Sequence, residues 1–384
     1  MKYLFELGRQ PEISIAELEA IFLHDGVDLN TLKPRHIGSY LVIESKDRIY
    51  AEKMISRLGG TMKIGNAIEN TGDPIASIVH FLNENSTGKI HFAVSGEVTK
   101  KTGIAIKKQL KSLGRSVRFI ETKNTASILH NNLVEKKSDF TILENNIFVT
   151  KAIQDIEGFS KRDFGRPGSD DKSGMLPPKL ARIMINLSQI KTTDVLLDPF
   201  CGSGTVLTEA LSLGFKNIVG SDISQKAIDD TKQNVEWLQK KFDLEPKTFD
   251  LYTSDSVHLL GQIKPDSINA IVSEPYMGKP LRGNENKETL KKQTNELAQL
   301  YIESFRSFHK ILKKDGVAIF IIPKFRHENK WITVNCLEEI KKIGFEILPL
   351  APRPEKREAK GVDSLLYWRT KQYVGREIWK FKKV

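Results

Sequence analysis

The sequence predicts an α/β protein in which a doubly wound, mostly parallel sheet in the C-terminal half is preceded by smaller α+β units. Three observations carry that expectation. After residue 175 short apolar runs alternate with helical segments, which is the rhythm of a parallel sheet. Before residue 159 the strands and helices are shorter, and residues 140–143 and 147–152 flank Glu144-Asn145-Asn146, a hairpin signal. Between these parts, residues 159–176 are rich in glycine and charge and poor in aliphatics, and read as a linker or mobile loop.

Taken in order, residues 3–7, 39–43, 90–94 and 116–120 read as strands. Residues 13–22 have the spacing of an amphipathic helix, and residues 49–58, 75–82 and 103–112 also read as helices. In the C-terminal half strands are expected at 195–197, 217–221, 248–251, 270–272 and 317–322, with helices such as 227–238 and 297–312 between them. Residues 364–369 and 377–381 fit a terminal antiparallel pair. Ligands in such sheets sit at the carboxyl ends of the strands, so each strand end is a candidate part of a site.

Composition narrows the class of protein. A chain of 384 residues with 39% hydrophobic content has enough apolar material for two or three domains. Its two cysteines, Cys201 and Cys336, supply neither a disulfide framework nor a metal cluster, which fits a reducing compartment. No window reaches membrane-spanning length and the N-terminus lacks a secretion signal, so a cytoplasmic monomer without a membrane or metal partner is expected.

The formal charge of +11 favours a polyanionic partner, and its distribution says more. Residues 101–150 hold nine Lys/Arg against four Asp/Glu, and residues 351–384 hold ten against four, so these two stretches account for the whole excess. The first includes Lys107, Lys108, Lys111, Arg115 and Arg118; the second includes Arg353, Lys356, Arg357, Lys360, Arg369, Lys371 and Arg376. Two separated basic stretches suit an extended nucleic acid, whose phosphates supply affinity through counterion release.

The most specific local pattern is Asp198-Pro199-Phe200-Cys201-Gly202-Ser203-Gly204-Thr205, which follows an apolar run and leads into a helical segment. Glycines two apart let backbone N–H groups approach a ligand where a Cβ would block it. The third glycine of a dinucleotide fingerprint is missing, while the acidic strand end suits a cation, so S-adenosylmethionine fits better than a pyrophosphate. Cys201 reads as a small packed residue of the turn. The string resembles the first motif of class I methyltransferases.

Further strand ends add to the cleft. Asp222, followed by Ile223, ends the second strand, where a carboxylate can accept both ribose hydroxyls. Asp255 and Ser256 follow the third, where a carboxylate can accept from an adenine amino group. The fourth ends in Ser273-Glu274-Pro275-Tyr276. Amino methyltransferases that act on bases carry Asp or Asn, Pro, Pro and an aromatic residue at this place, the aromatic stacking on an extruded base. Here Ser273 stands in the acid's place and the carboxylate is shifted to Glu274. Either Glu274 orients the amine, or backbone carbonyls do so with help from Ser273.

These motifs, with residues 162–167, 174–181 and the opening residues 5–12, resemble the THUMP-containing tRNA guanosine N2-methyltransferases, particularly the archaeal and eukaryotic position-10 enzymes. The resemblance implies a ferredoxin-like domain at 1–65, a THUMP tRNA-binding domain at 66–158, a linker at 159–175 and a Rossmann-like methyltransferase domain at 176–384. It also implies S-adenosylmethionine as cofactor, methylation of guanosine 10 at N2, and a tRNA partner, with Arg162 and Arg166 joining the basic residues of 101–150 as RNA contacts. Eukaryotic relatives work with a small activating protein, a requirement left open for this chain. Other readings are a DNA adenine-N6 or cytosine-N4 methyltransferase, a non-catalytic tRNA-binding protein and, least favoured by the basic surplus, a protein methyltransferase.

Overall fold

A computed structural model describes residues 1–97, 100–122, 125–168, 175–244, 249–350, 363–370 and 372–384. In chain order its elements begin with β1 (Lys2–Leu7), α1 (Pro11–His24), β2 (Arg35–Ile37), β3 (Tyr40–Glu44), α2 (Ala51–Arg57), β4 (Thr61–Ile68), α3 (Pro74–Asn85), β5 (Ile90–Gly96) and α4 (Lys100–Ser112). There follow β6 (Val117–Phe119), α5 (Thr125–His130), β7 (Asp139–Leu143), β8 (Asn146–Ile153), α6 (Ile156–Phe164), α7 (Pro178–Ser188), β9 (Val195–Asp198), α8 (Thr205–Ser212), β10 (Asn217–Asp222) and α9 (Gln225–Lys241). The remainder are β11 (Phe249–Thr253), β12 (Ile268–Ser273), α10 (Lys287–Ile311), β13 (Leu312–His327), β14 (Lys330–Thr333), α11 (Leu337–Gly344), β15 (Phe345–Leu348), β16 (Ser364–Tyr367) and β17 (Val374–Lys383). The chain divides into two compact units, Met1–Pro11 with Asp28–Ile156 and Glu12–Val27 with Glu157–Val384.

The first unit is built on one eight-stranded sheet of order β2-β3-β1-β4-β8-β7-β5-β6. β7 and β8 form the expected hairpin, with Leu143 opposite Asn146 and a turn of two residues, Glu144 and Asn145, both left-handed at φ 45° and 59°. Such a turn matches the twist of its strands. β4 was not legible in the sequence because a lysine interrupts its apolar pattern. Lys63 is buried and lies 3.2 Å from Asp139 and 3.3 Å from Glu6. Burial alone would lower its pKa, but the two carboxylates outweigh that and hold it above the usual lysine value.

The second unit is a Rossmann-like sheet of order β11-β10-β9-β12-β13-β17-β15. β9 to β13 are parallel, and β17 runs antiparallel between β13 and the edge formed by β15 and β16. Both faces are covered. Leu196, Ile319 and Ile321 pack with Leu180, Leu207 and Val235 on one side; Leu197, Phe320 and Ile322 pack with Tyr301, Phe305 and Phe308 on the other. Alternating side chains of a strand point to opposite faces, so two cores form from consecutive residues. The expected strand at 248–251 starts within the described residues at Phe249, while β14 and β15 were unforeseen.

Two expectations are corrected. α1 is not amphipathic: Ile13, Ser14, Ala16, Glu17, Leu18, Glu19, Ala20, Ile21 and Phe22 are all buried. Its Glu17 accepts from Asn186 of α7 at 2.7 Å, which satisfies a carboxylate that the helical spacing alone would place in water. Residues 159–164 are helical rather than a loop, because Phe159 and Arg162 of α6 find partners in the interior. Residues 169–174 of that stretch lie outside the described residues. Among the described residues no helix is long and apolar enough to cross a membrane.

Candidate active site

The turn after β9 is shaped by two glycines and held by one helix. Gly202 and Gly204 adopt φ of 52° and 79°, values that a Cβ disfavours. At Gly204 a Cβ would also stand 2.8 Å from Cγ2 of Thr231, whereas at Gly202 it would project into open space that the bare backbone now borders. α9 fastens the turn from outside: Thr231 Oγ1 donates to the Gly202 carbonyl at 2.8 Å, and Asn234 Nδ2 donates to the Ser203 carbonyl at 2.8 Å. Pro199, Cys201, Ser203 and Thr205 are buried and Phe200 packs edge-on against Phe320. Burial pushes the Cys201 thiol well above its usual value, which leaves it protonated and matches the packed role expected of it.

Hydrogen bonds tie the strand ends together around this turn. Asp222 accepts from Gly202 N at 3.0 Å through one oxygen and from Ser224 N at 2.9 Å through the other. Its neighbour Ile223 is 73% exposed, an aliphatic surface left uncovered at the mouth of the cleft. The Asp222 carbonyl accepts from Ser254 N at 2.9 Å, which draws in the end of β11. Asp255 is half-buried and accepts from Val257 N at 3.1 Å. Ser256 is buried, and its hydroxyl lies 2.8 Å from that of Ser304 on α10, so it ties this strand end to the core.

The end of β12 divides its polar groups between two directions. Ser273 is fully buried and donates to Asp198 Oδ1 at 2.6 Å. Asp198, also accepting from Phe200 N at 3.2 Å, is pushed up to about 7, chiefly by burial, with Asp222 and Glu274 adding to the rise. Glu274 instead accepts from Arg376 Nε of β17 at 2.5 Å. Burial raises the Glu274 carboxyl, and the guanidinium works against that rise. Pro275 is buried, whereas Tyr276 is 53% exposed and its carbonyl accepts from Tyr301 Oη at 2.7 Å. Arg376 was counted in the sequence only as part of a basic surplus; nothing near it marks a partner 102 residues away.

The expected RNA contacts separate on burial. Lys108, Lys111 and Arg118 are exposed and Lys107 is half-buried, while the Arg115 guanidinium donates to the Asn83 side chain and to the Asn83 and Ser86 carbonyls. Arg162 and Arg166 require correction, since each is 7% exposed. Arg162 and Arg182 grip Glu209 from two sides at 2.6 and 2.7 Å, and Arg166 donates to Thr205 Oγ1 at 2.6 Å. A fully buried glutamate draws these cations inward. Arg353, Lys356, Arg357, Lys360 and Lys371 lie outside the described residues.

Comparison with known proteins agrees with this geometry. The family model described as RMKL-like, methyltransferase domain matches residues 168–344. A tRNA (guanine(10)-N2)-dimethyltransferase of Methanothermobacter thermautotrophicus is 26% identical over 338 residues, covering 82% of this chain and 86% of the relative. A probable tRNA (guanine(10)-N2)-dimethyltransferase of Methanothermococcus thermolithotrophicus is 32% identical over 145 residues, covering 37% of this chain and 78% of the relative. The crystal structure of TrmN from Thermus thermophilus shares the fold, with a TM-score of 0.54 at 14% identity and full coverage of both chains.

S-adenosylmethionine is the cofactor, and the residues present fit it. Asp198, Asp222 and Glu274 crowd the cleft, and of these Glu274 alone has a guanidinium partner among the described residues. The balance of charge calls for a cationic ligand over the bare Gly202 turn. The chain belongs to the THUMP-domain tRNA guanosine N2-methyltransferase family.

Proposed function

We propose that this S-adenosylmethionine-dependent tRNA guanine-N2 methyltransferase modifies guanosine 10, and that the guanine is flipped from its stack onto Tyr276. The observation that carries the reading is the division of labour at the end of β12. Ser273 turns inward to Asp198, Glu274 is aimed by Arg376, and Tyr276 presents an exposed ring beside them. Of the two routes open from the sequence, this favours Glu274 as the group that orients the amine.

When bound, S-adenosylmethionine supplies an electrophilic methyl group on a sulfonium. Asp222 accepts from the ribose hydroxyls with lone pairs its two backbone bonds leave available, and Asp255 accepts from the adenine amino group. Gly202 to Thr205 would shape the backbone cradle for the cofactor, and the exposed Ile223 would be a further contact to it. Glu274 accepts an N–H of the guanine N2, which points the nitrogen lone pair at the methyl carbon, and then receives the proton that the methylated nitrogen sheds. Catalysis by such a site comes from positioning and from preorganised acceptors, with no covalent enzyme intermediate.

The domain assignment accompanying this reading is ferredoxin-like for 1–65, THUMP for 66–158 and methyltransferase for 176–384, with Lys107, Lys108, Lys111 and Arg118 facing tRNA. The active form is taken to be a cytoplasmic monomer, which sedimentation checks. A need for a small activating protein would show as an inactive purified chain regaining activity with that protein. The deciding experiment measures labelled-methyl transfer to tRNA transcripts and to duplex DNA, with nucleoside mass spectrometry, for the native chain, Tyr276→Ala and Asp222→Ala. Expected is guanosine mono- or dimethylated at N2 in tRNA, lost in both variants; undiminished activity in both would sink the site assignment.

A further inference from the structure

β13 does not stop where the parallel sheet stops. Its last partner on β12 is Ser273, opposite Phe320, yet the strand runs seven residues further to His327. Because β12 and β13 are parallel, that extension, about 23 Å at the usual strand rise, projects past the carboxyl edge on which Glu274 and Tyr276 sit. β14 pairs with it on one edge and the first residues of β17 on the other, with β16 completing a wall.

The wall carries an unusual surface. Arg326 lies over the Trp368 ring at 4.6 Å and 6.0 Å from that of Trp331, and the two indoles meet edge-on at 5.6 Å. Arg369 lies 5.9 Å from the Tyr367 ring and donates to its hydroxyl at 3.0 Å. Among the described residues Arg326 and the exposed Lys330 form no salt bridge, Arg369 is attracted by Asp163 without a direct ion pair, and Arg326 Nη2 donates to Asn329 at 3.0 Å. The wall is joined to the segment that follows Tyr276 through Tyr373, whose ring lies where a side chain at Gly283 would have to stand.

We propose that this wall is a second RNA contact, stacking an unpaired nucleotide that adjoins the flipped guanosine while Arg326, Arg369 and Lys330 meet its phosphates. It rests on the flipped-guanosine reading. A guanidinium against two indoles and another against a phenol ring, neither held in a salt bridge among the described residues, suit a ligand having both π faces and negative charge. Extruding one base leaves its neighbours without a stacking partner, and an aromatic wall at the same edge supplies one.

The test uses the full chain and an unmodified tRNA transcript, with Kd measured by anisotropy across a salt series and S-adenosylmethionine affinity by calorimetry. Arg369→Glu combined with Lys330→Glu should raise Kd for tRNA by about tenfold to a hundredfold and lower the log–log salt slope by about 2. Arg326→Ala should raise it roughly fivefold or more through the lost phosphate contact and the lost support of the Trp331 and Trp368 rings. Cofactor affinity should not change. Should Arg326→Ala also lower cofactor affinity, the exposed pair decides alone. Unchanged Kd and slope in the pair, with a native chain that methylates tRNA, overturn the wall while leaving the acceptor site standing. Undiminished methylation by Tyr276→Ala overturns the acceptor site whatever the wall does.

Discussion

Arg376 Nε donates to Glu274 Oε1 at 2.5 Å, linking the end of β12 to an antiparallel strand 102 residues later. Both side chains are mostly buried, at 16% and 11% exposure, so the pair is held in a medium of low dielectric. Burial raises the Glu274 carboxyl, and the guanidinium draws it back down without cancelling the rise.

Arg376→Ala is therefore expected to cut kcat/KM by about a hundredfold. Without the guanidinium the Glu274 pKa rises further, so the ascending limb of the pH–rate profile moves to higher pH. Arg376→Lys should restore part of the shift, and Glu274→Gln should lose the limb itself. A profile unmoved in Arg376→Ala would show that the pair is only structural.

Asp198 stands at about 7 in the folded chain against an ordinary value of 3.8. The folded state thus holds a proton that the unfolded state has released, and Asp198 lowers stability as pH rises from about 4 to 7. A cation bound nearby favours the ionised form. S-adenosylmethionine binding near pH 7 should release a fraction of a proton and tighten by up to about tenfold between pH 6 and 8. Calorimetry in buffers of different ionisation enthalpy reads the release directly, and Asp198→Asn should abolish it.

Glu209 neutralises Arg162 and Arg182 in the interior. Glu209→Ala removes the carboxylate that both buried guanidinium groups grip and should cost about 3–5 kcal/mol. Denaturant unfolding measures it; a loss below about 1 kcal/mol would mean that the arginines escape to solvent.

Gly204→Ala forces a Cβ onto a residue at φ 79° and against Thr231. The left-handed conformation alone costs about 1–2 kcal/mol, and the contact displaces the helix that holds the turn. A lower Tm with weaker cofactor binding is expected. Gly202→Ala meets no neighbour, so an equal effect there would assign the whole cost to φ.

Much of the parallel sheet was legible because its strands are short apolar runs buried on both faces, as Leu196 and Leu197 show by facing opposite cores. β4 escaped because Lys63 occupies an inward position that only Asp139 and Glu6, from other strands, make tolerable. The same difficulty hid the full burial of α1, whose helix was expected. Nothing in residues 13–22 signals that Glu17 will be buried and bonded to Asn186.

The sequence by itself determined the glycine turn after β9, the carboxylates that end β9 and β10, and the order of motifs that marks a methyltransferase. These are demands of local backbone, written in consecutive residues whose conformational limits do not depend on distant partners. Tertiary structure decided which charges work as pairs. Arg376 reaches Glu274, Arg162 leaves the RNA-facing set for Glu209, and Ser273 turns to Asp198. An arginine has the same letter on a surface as in a core, and its role is set by the dielectric and the partner that long-range packing brings to it.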